Sequence, residues 1–76
     1  MIREFEDGSG RLWDVVAGRE SWGTIVAIFV PADGSDSPRQ TPLQAEGYED
    51  GFAELEALEV RDLRRLLERS RPMSLD

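Results

Sequence analysis

The 76-residue sequence predicts an α+β domain: a small antiparallel β-meander of three to four strands, with a curved half-barrel as the open alternative, and one C-terminal amphipathic helix packed on it. Three observations lead there. Through residue 45 the apolar residues fall in short runs of β-branched and aromatic side chains, separated by Gly, Asp, Ser and Pro. Beyond Gly47 the apolar spacing lengthens to that of a helix, in a background of Glu, Leu, Ala and Arg. No repeat or low-complexity tract interrupts this order, so the chain reads as one domain: a β-rich region at 1–45, a connecting segment at 46–58 and a helix at 59–71.

The first candidate strand is Ile2 to Glu6, ended by Asp7-Gly8-Ser9-Gly10, whose glycines suit the positive φ of a hairpin turn. Arg11 to Ala17 resumes the sheet, with Trp13 and Val15 on one side and Leu12 and Val16 on the other. Gly18-Arg19-Glu20-Ser21 makes the next connection. Trp22 to Val30 is the strongest strand, because Ile25, Val26, Ile28, Phe29 and Val30 make both of its faces apolar, and that predicts a central position. Pro31, with no N–H for a ladder, is expected to end it, and Ala32 to Pro38 is a turn by composition. Arg39 to Ala45 makes a fourth strand that Pro42 confines to an edge.

At about 100° per residue, Val60, Leu63, Leu66 and Leu67 fall in one arc, with Arg61, Arg64, Arg65, Glu68 and Arg69 opposite. This is an amphipathic helix with an apolar side to lay on the sheet. Leu58 lies off that arc, so Gly51 to Leu58 reads either as a separate turn of helix or as a loop. Pro72 closes the element.

The chain contains no lysine, histidine, cysteine or asparagine. Loss of Lys and Asn beside abundant Arg, Ala, Gly and Glu matches the codon bias of a high-GC bacterial genome. Without cysteine there is no disulfide and no Cys-rich zinc site, and without histidine the usual general base is missing. Asp33-Gly34-Ser35-Asp36-Ser37 alternates oxygen ligands, but the twelfth position of such a calcium loop is Gln44 where a bidentate Glu is needed. Gly8-Ser9-Gly10 lacks the third glycine of a dinucleotide fingerprint and leads into a strand. Glu46, Glu49 and Asp50 around Tyr48 could serve glycoside cleavage only in a pocket that a chain this short can hardly build. No catalytic residue, metal or cofactor is therefore expected, and the protein does not read as an enzyme.

The net charge of −7 divides into −9 over residues 1–60 and +2 over residues 61–76. An acidic body repels phosphate, which argues against direct nucleic-acid binding. The longest apolar run, Ile25 to Ala32, is far short of the roughly 20 residues of a membrane helix. The charged amino terminus lacks the apolar stretch of a signal peptide, so a cytoplasmic protein is expected.

What remains is contact with a partner: another protein, with a basic surface as one option, or a second copy in a homo-oligomer. The candidate contact residues are the strand carboxylates Glu4, Glu6 and Asp14, the aromatic Trp13, and the helix arginines Arg61 and Arg65. Trp22 is expected in the core. The leading expectation is a non-catalytic interaction module, an accessory subunit or regulator of a larger protein. The alternative is an acidic inhibitor or antitoxin covering a basic nucleic-acid-binding surface.

Overall fold

In the computed structural model, which describes residues 2–20 and 22–73, five strands form one antiparallel sheet in the order β1-β2-β3-β4-β5. Met1 and Ser21, which belong to segments discussed above, lie outside the described residues. The strands are β1 Arg3–Glu6, β2 Leu12–Arg19, β3 Ile25–Pro31, β4 Arg39–Pro42 and β5 Arg71–Pro72, with α1 Tyr48–Ala57 and α2 Val60–Arg69 between β4 and β5. The α+β class is as expected, and β3 is the central strand. The counts differ: the connecting segment carries a second helix, and the end of the expected helix turns back as β5 beside β4. The strand order is linear, with β1 and β5 at opposite edges, so the sheet is open.

Three boundaries move for identifiable reasons. The β2–β3 ladder continues to Arg19 opposite Ile25, so Gly18 and Arg19 belong to the sheet. The turn is 20–24, closed by Glu20 N–H to Thr24 O at 2.9 Å and Gly23 N–H to Glu20 O at 2.9 Å, with Gly23 at a φ of 91° that favours glycine. Pro31 is the last residue of β3, opposite Trp13. β4 is flanked by β5 only at Arg39 and Gln40, so Pro42 still lies where no outer ladder needs its N–H.

Both helices cover one face of the sheet. That face presents Phe5, Trp13, Val15, Ala17, Ile25, Ala27 and Phe29, which pack with Leu43, Leu55 of α1 and Leu63 of α2. Phe5 and Phe29 meet edge to face at 5.9 Å between ring centres. α1 comes down closely on β2 and β3 because of Gly51: a Cβ there would stand 2.9 Å from Ile25 Cγ2 and 3.2 Å from Ala17 Cβ. Close approach outweighs the roughly 1 kcal/mol of helix propensity that glycine gives up. Leu63 is wholly buried, Leu66 and Leu67 are half-buried, and Val60 is largely exposed rather than part of the core stripe.

The last carbonyls of each helix are held by a strand arginine. Arg3 Nη1 donates to Leu55 O at 2.6 Å, Glu56 O at 3.1 Å and also to Leu58 O, at the end of α1. Arg39 Nε donates to Ser70 Oγ at 2.8 Å and its Nη2 to Ser70 O, at the end of α2. Buried Ser70 in turn donates its hydroxyl to Leu67 O. Arg3 and Arg39 lie in one row across the sheet, with Val15 and Phe29 between them. A guanidinium fork carries both the positive charge and the several donors that a helix C-terminus lacks.

Candidate interaction surface

The two tryptophans exchange their expected places. Trp13 is 4% exposed, inside the core, and its Nε1–H donates to Asp7 Oδ2 at 2.8 Å. Asp7 Oδ1 accepts from Ser9 N–H at 2.8 Å, Ser9 Oγ–H at 2.7 Å and Arg11 N–H at 3.0 Å. The Trp13 N–H holds the Asp7 carboxyl well below the usual carboxylate range, against the cost of its desolvation and with help from Ser9 and Arg11. The Arg11 guanidinium lies 5.8 Å from the Trp13 ring centre and 3.6 Å from Asp36. Trp13, singled out in the sequence as a candidate contact residue, is thus buried in the core. Trp22, in the 20–24 turn, is 90% exposed.

The second face of the sheet carries no helix. Glu4, Asp14 and Val30 stand side by side across β1, β2 and β3. Val16, Ile28, Gln40 and Arg71 form the next row across β2 to β5. Glu6 stands opposite Leu12. Leu12 is 44% and Val30 38% exposed, and Val16 and Ile28 are half-buried. At Gly18 a Cβ would collide with Ile28 Cδ1, so glycine lets the isoleucine lie flat across β2. The face therefore runs from a carboxylate margin on β1 and β2, through an apolar stripe on β2 and β3, to Arg71 at the far edge. It unites Glu4, Glu6 and Asp14, three of the residues singled out in the sequence.

Arg61 and Arg65 are exposed on α2, in the layer that covers the other face. Arg61 pairs with Glu59 at 3.0 Å. Arg64 donates its Nε–H to Glu6 O at 2.8 Å, holding α2 to β1. Together with Arg3, Arg11, Arg39 and Arg19, whose guanidinium lies 5.0 Å from the Tyr48 ring centre, six of the nine arginines have internal partners. Among the described residues Glu4, Glu6 and Asp14 make no ion pair. The structural duty of Arg3 and Arg39 was invisible in the sequence, since both caps reach across many residues.

A cleft of about 570 Å³ lies between the turns at Ser9-Gly10-Arg11 and Ala32-Asp33. Its arginine pairs with Asp36 at 3.6 Å, its Asp33 carboxyl is lowered by hydrogen bonds from Ser35, and the Ser9 hydroxyl on its wall donates to Asp7, whose lowered carboxyl is a weak base. A second cleft of about 310 Å³ opens on the helix-free face, between Trp22, Val26, Ile28, Gln40 and Met73. Among the described residues no cluster of His, Cys, Asp or Glu could hold a metal ion, and no helix is long and apolar enough to cross a membrane. Comparison of the chain with protein-family models, curated proteins and solved structures gave no match.

Proposed function

We propose that this chain is a non-catalytic protein-interaction module, an accessory subunit or regulator of a larger protein, which engages its partner through the helix-free sheet face. Glu4, Glu6 and Asp14 meet basic groups of the partner, and Leu12, Val16, Ile28 and Val30 supply the apolar contact beside them. One observation carries this reading: most arginines have internal partners, whereas among the described residues these three carboxylates make no ion pair, and they border exposed apolar side chains. An apolar centre rimmed by charge is what a protein-binding patch requires. The same reading puts the protein in the cytoplasm, with no direct nucleic-acid or membrane contact.

The test is affinity capture from native lysate with the parent chain, with Glu4→Gln/Glu6→Gln/Asp14→Asn, and with Arg61→Glu/Arg65→Glu. Loss of the captured protein in the carboxylate variant alone supports the sheet face. Loss only in the arginine variant would move the contact to α2. A captured nucleic-acid-binding protein released by raised salt would favour the acidic-inhibitor alternative.

A further inference from the structure

We infer that the open edge of β1 accepts an extended basic segment of a partner protein as a further strand, with arginine or lysine at every second residue, opposite Glu4 and Glu6. The inference rests on the reading that the helix-free face is the contact surface, and it names the conformation and charge of the segment that borders that face.

Ladder parity singles out this edge. In an antiparallel pair, residues whose N–H and C=O turn toward the neighbouring strand alternate with residues whose groups turn away. Asp7 N–H donates to Arg11 O, one step beyond Glu6 and Leu12 in the same register, so Arg3 and Phe5 bond to β2 while Glu4 and Glu6 turn their backbone groups outward. Glu6 O accordingly accepts from the Arg64 side chain; Glu4 N–H, Glu4 O and Glu6 N–H have no partner among the described residues. At the opposite margin Met73 N–H donates to Pro38 O and Leu43 N–H to Ile25 O. The same alternation there turns Pro72 outward on β5 and Pro42 outward on β4, beyond the end of β5. A proline has no N–H to offer, so that margin is closed to a further strand and the β1 edge is not.

Charge defines what the open edge accepts. The Glu4 and Glu6 side chains lie on the helix-free face, and Glu4 stands opposite Asp14 in a non-hydrogen-bonded pair, where side chains are closest. None of the three makes an ion pair among the described residues. Two β1 edges brought together would set carboxylate against carboxylate, so the edge rejects a second copy. A strand with cations at alternate positions forms opposite-charge cross-strand pairs with Glu4 and Glu6 instead. Main-chain hydrogen bonds then select an extended chain, and alternate side chains select its sequence.

The probe is a capped peptide, Lys-Thr-Lys-Thr-Lys-Thr, titrated into the isotope-labelled full chain and read by amide hydrogen exchange. In the free chain the outward Glu4 and Glu6 amides should exchange faster than the inward Phe5 amide, and saturating peptide should slow both at least about tenfold. The same peptide N-methylated at its lysine amides keeps its charge but cannot donate to Glu4 O, and should bind at least about tenfold more weakly. Glu4→Gln/Glu6→Gln should weaken the parent peptide about threefold or more. Absence of binding at millimolar peptide, equal binding of the methylated peptide, or an affinity that ignores the carboxylate variant overturns the inference. Binding that leaves the Glu4 and Glu6 amides unprotected also overturns it, while the helix-free face remains a contact surface. Protection of both amides, with capture from lysate untouched by the triple carboxylate variant, sustains the inference and removes the proposed function instead.

Discussion

Phe29 and Val30 are neighbours in β3, yet Phe29 is wholly buried and Val30 is 38% exposed. The difference is the two-residue period of the strand. In β3 the odd positions face α1 and α2, and the even positions lie on the helix-free side with Glu4, Glu6 and Asp14 of the adjoining strands, where Val30 is exposed, Ile28 half-buried and Val26 buried. One face is therefore a core, with aromatic and aliphatic side chains locked under Leu55 and Leu63. The other is apolar in its middle and rimmed with carboxylates that make no ion pair among the described residues. A sheet apolar on both faces and covered on one has a stability face and a contact face, and substitutions on the two should behave differently.

The largest expected contrast is between those two neighbours. Phe29→Ala should cost about 3 to 5 kcal/mol, a large share of the stability of so small a domain, whereas Val30→Ala should cost less than about 1 kcal/mol. Urea unfolding midpoints measure both, and equal losses would break the distinction. Within α2 the same logic separates Leu63→Ala, at about 2 to 4 kcal/mol, from half-buried Leu66→Ala, at roughly half that. If neither matters, α2 is not part of the core.

Gly51→Ala sharpens the picture of α1. Collision with Ile25 and Ala17 should outweigh the gain in helix propensity, for a net loss of about 1 to 2 kcal/mol in thermal or urea unfolding. A stabilised variant would mean that α1 rides higher on the sheet than its close approach indicates.

Asp7→Asn should cost about 1 to 2 kcal/mol. A single amide oxygen cannot serve both the Trp13 N–H and the Ser9 and Arg11 donors, so either the part-buried indole N–H or the exposed turn donors lose their carboxylate acceptor. The pH dependence has a definite sign. Because the folded Asp7 carboxyl is lowered, its contribution is fully present above the unfolded value near about 3.9 and is lost as pH falls through the more acidic folded value. The parent should therefore lose stability below about pH 4 more steeply than the Asp7→Asn variant. Parallel profiles would show that the Trp13 contact is not populated in solution.

The smallest effect is expected on the contact face: Glu4→Gln/Glu6→Gln/Asp14→Asn should shift stability by less than about 0.5 kcal/mol, since these carboxylates make no ion pair among the described residues.

The sequence made some of this legible and hid the rest for physical reasons. The density of β-branched residues between Ile25 and Val30 marked β3 as central, and the leucine spacing after Val60 marked α2. It could not say which face of β3 the helices cover, because both are apolar, and so it misplaced the tryptophans. Trp13 shares parity with Val15 and Ala17 on the covered side, whereas Trp22 sits in a turn before the strand begins. α1 was obscured by Gly51 in its interior and by judging Leu58 against the arc of α2, though α1 presents a separate buried edge through Gly51 and Leu55. β5 is too short to carry a pattern. Glu4, Glu6 and Asp14 were visible as unexplained acids; that they share a face with Val30 and Arg71 emerges only from strand register.

The most direct measurement of the two-faced sheet is carboxylate labelling, read residue by residue by mass spectrometry, on the chain alone at low concentration and in its assembled state. If the helix-free face is the contact surface, Glu4, Glu6 and Asp14 should lose labelling on assembly, while Glu49, Asp50 and Glu56 on α1 remain as reactive as in the free chain. Protection of the α1 carboxylates with Glu4, Glu6 and Asp14 still fully labelled would contradict it.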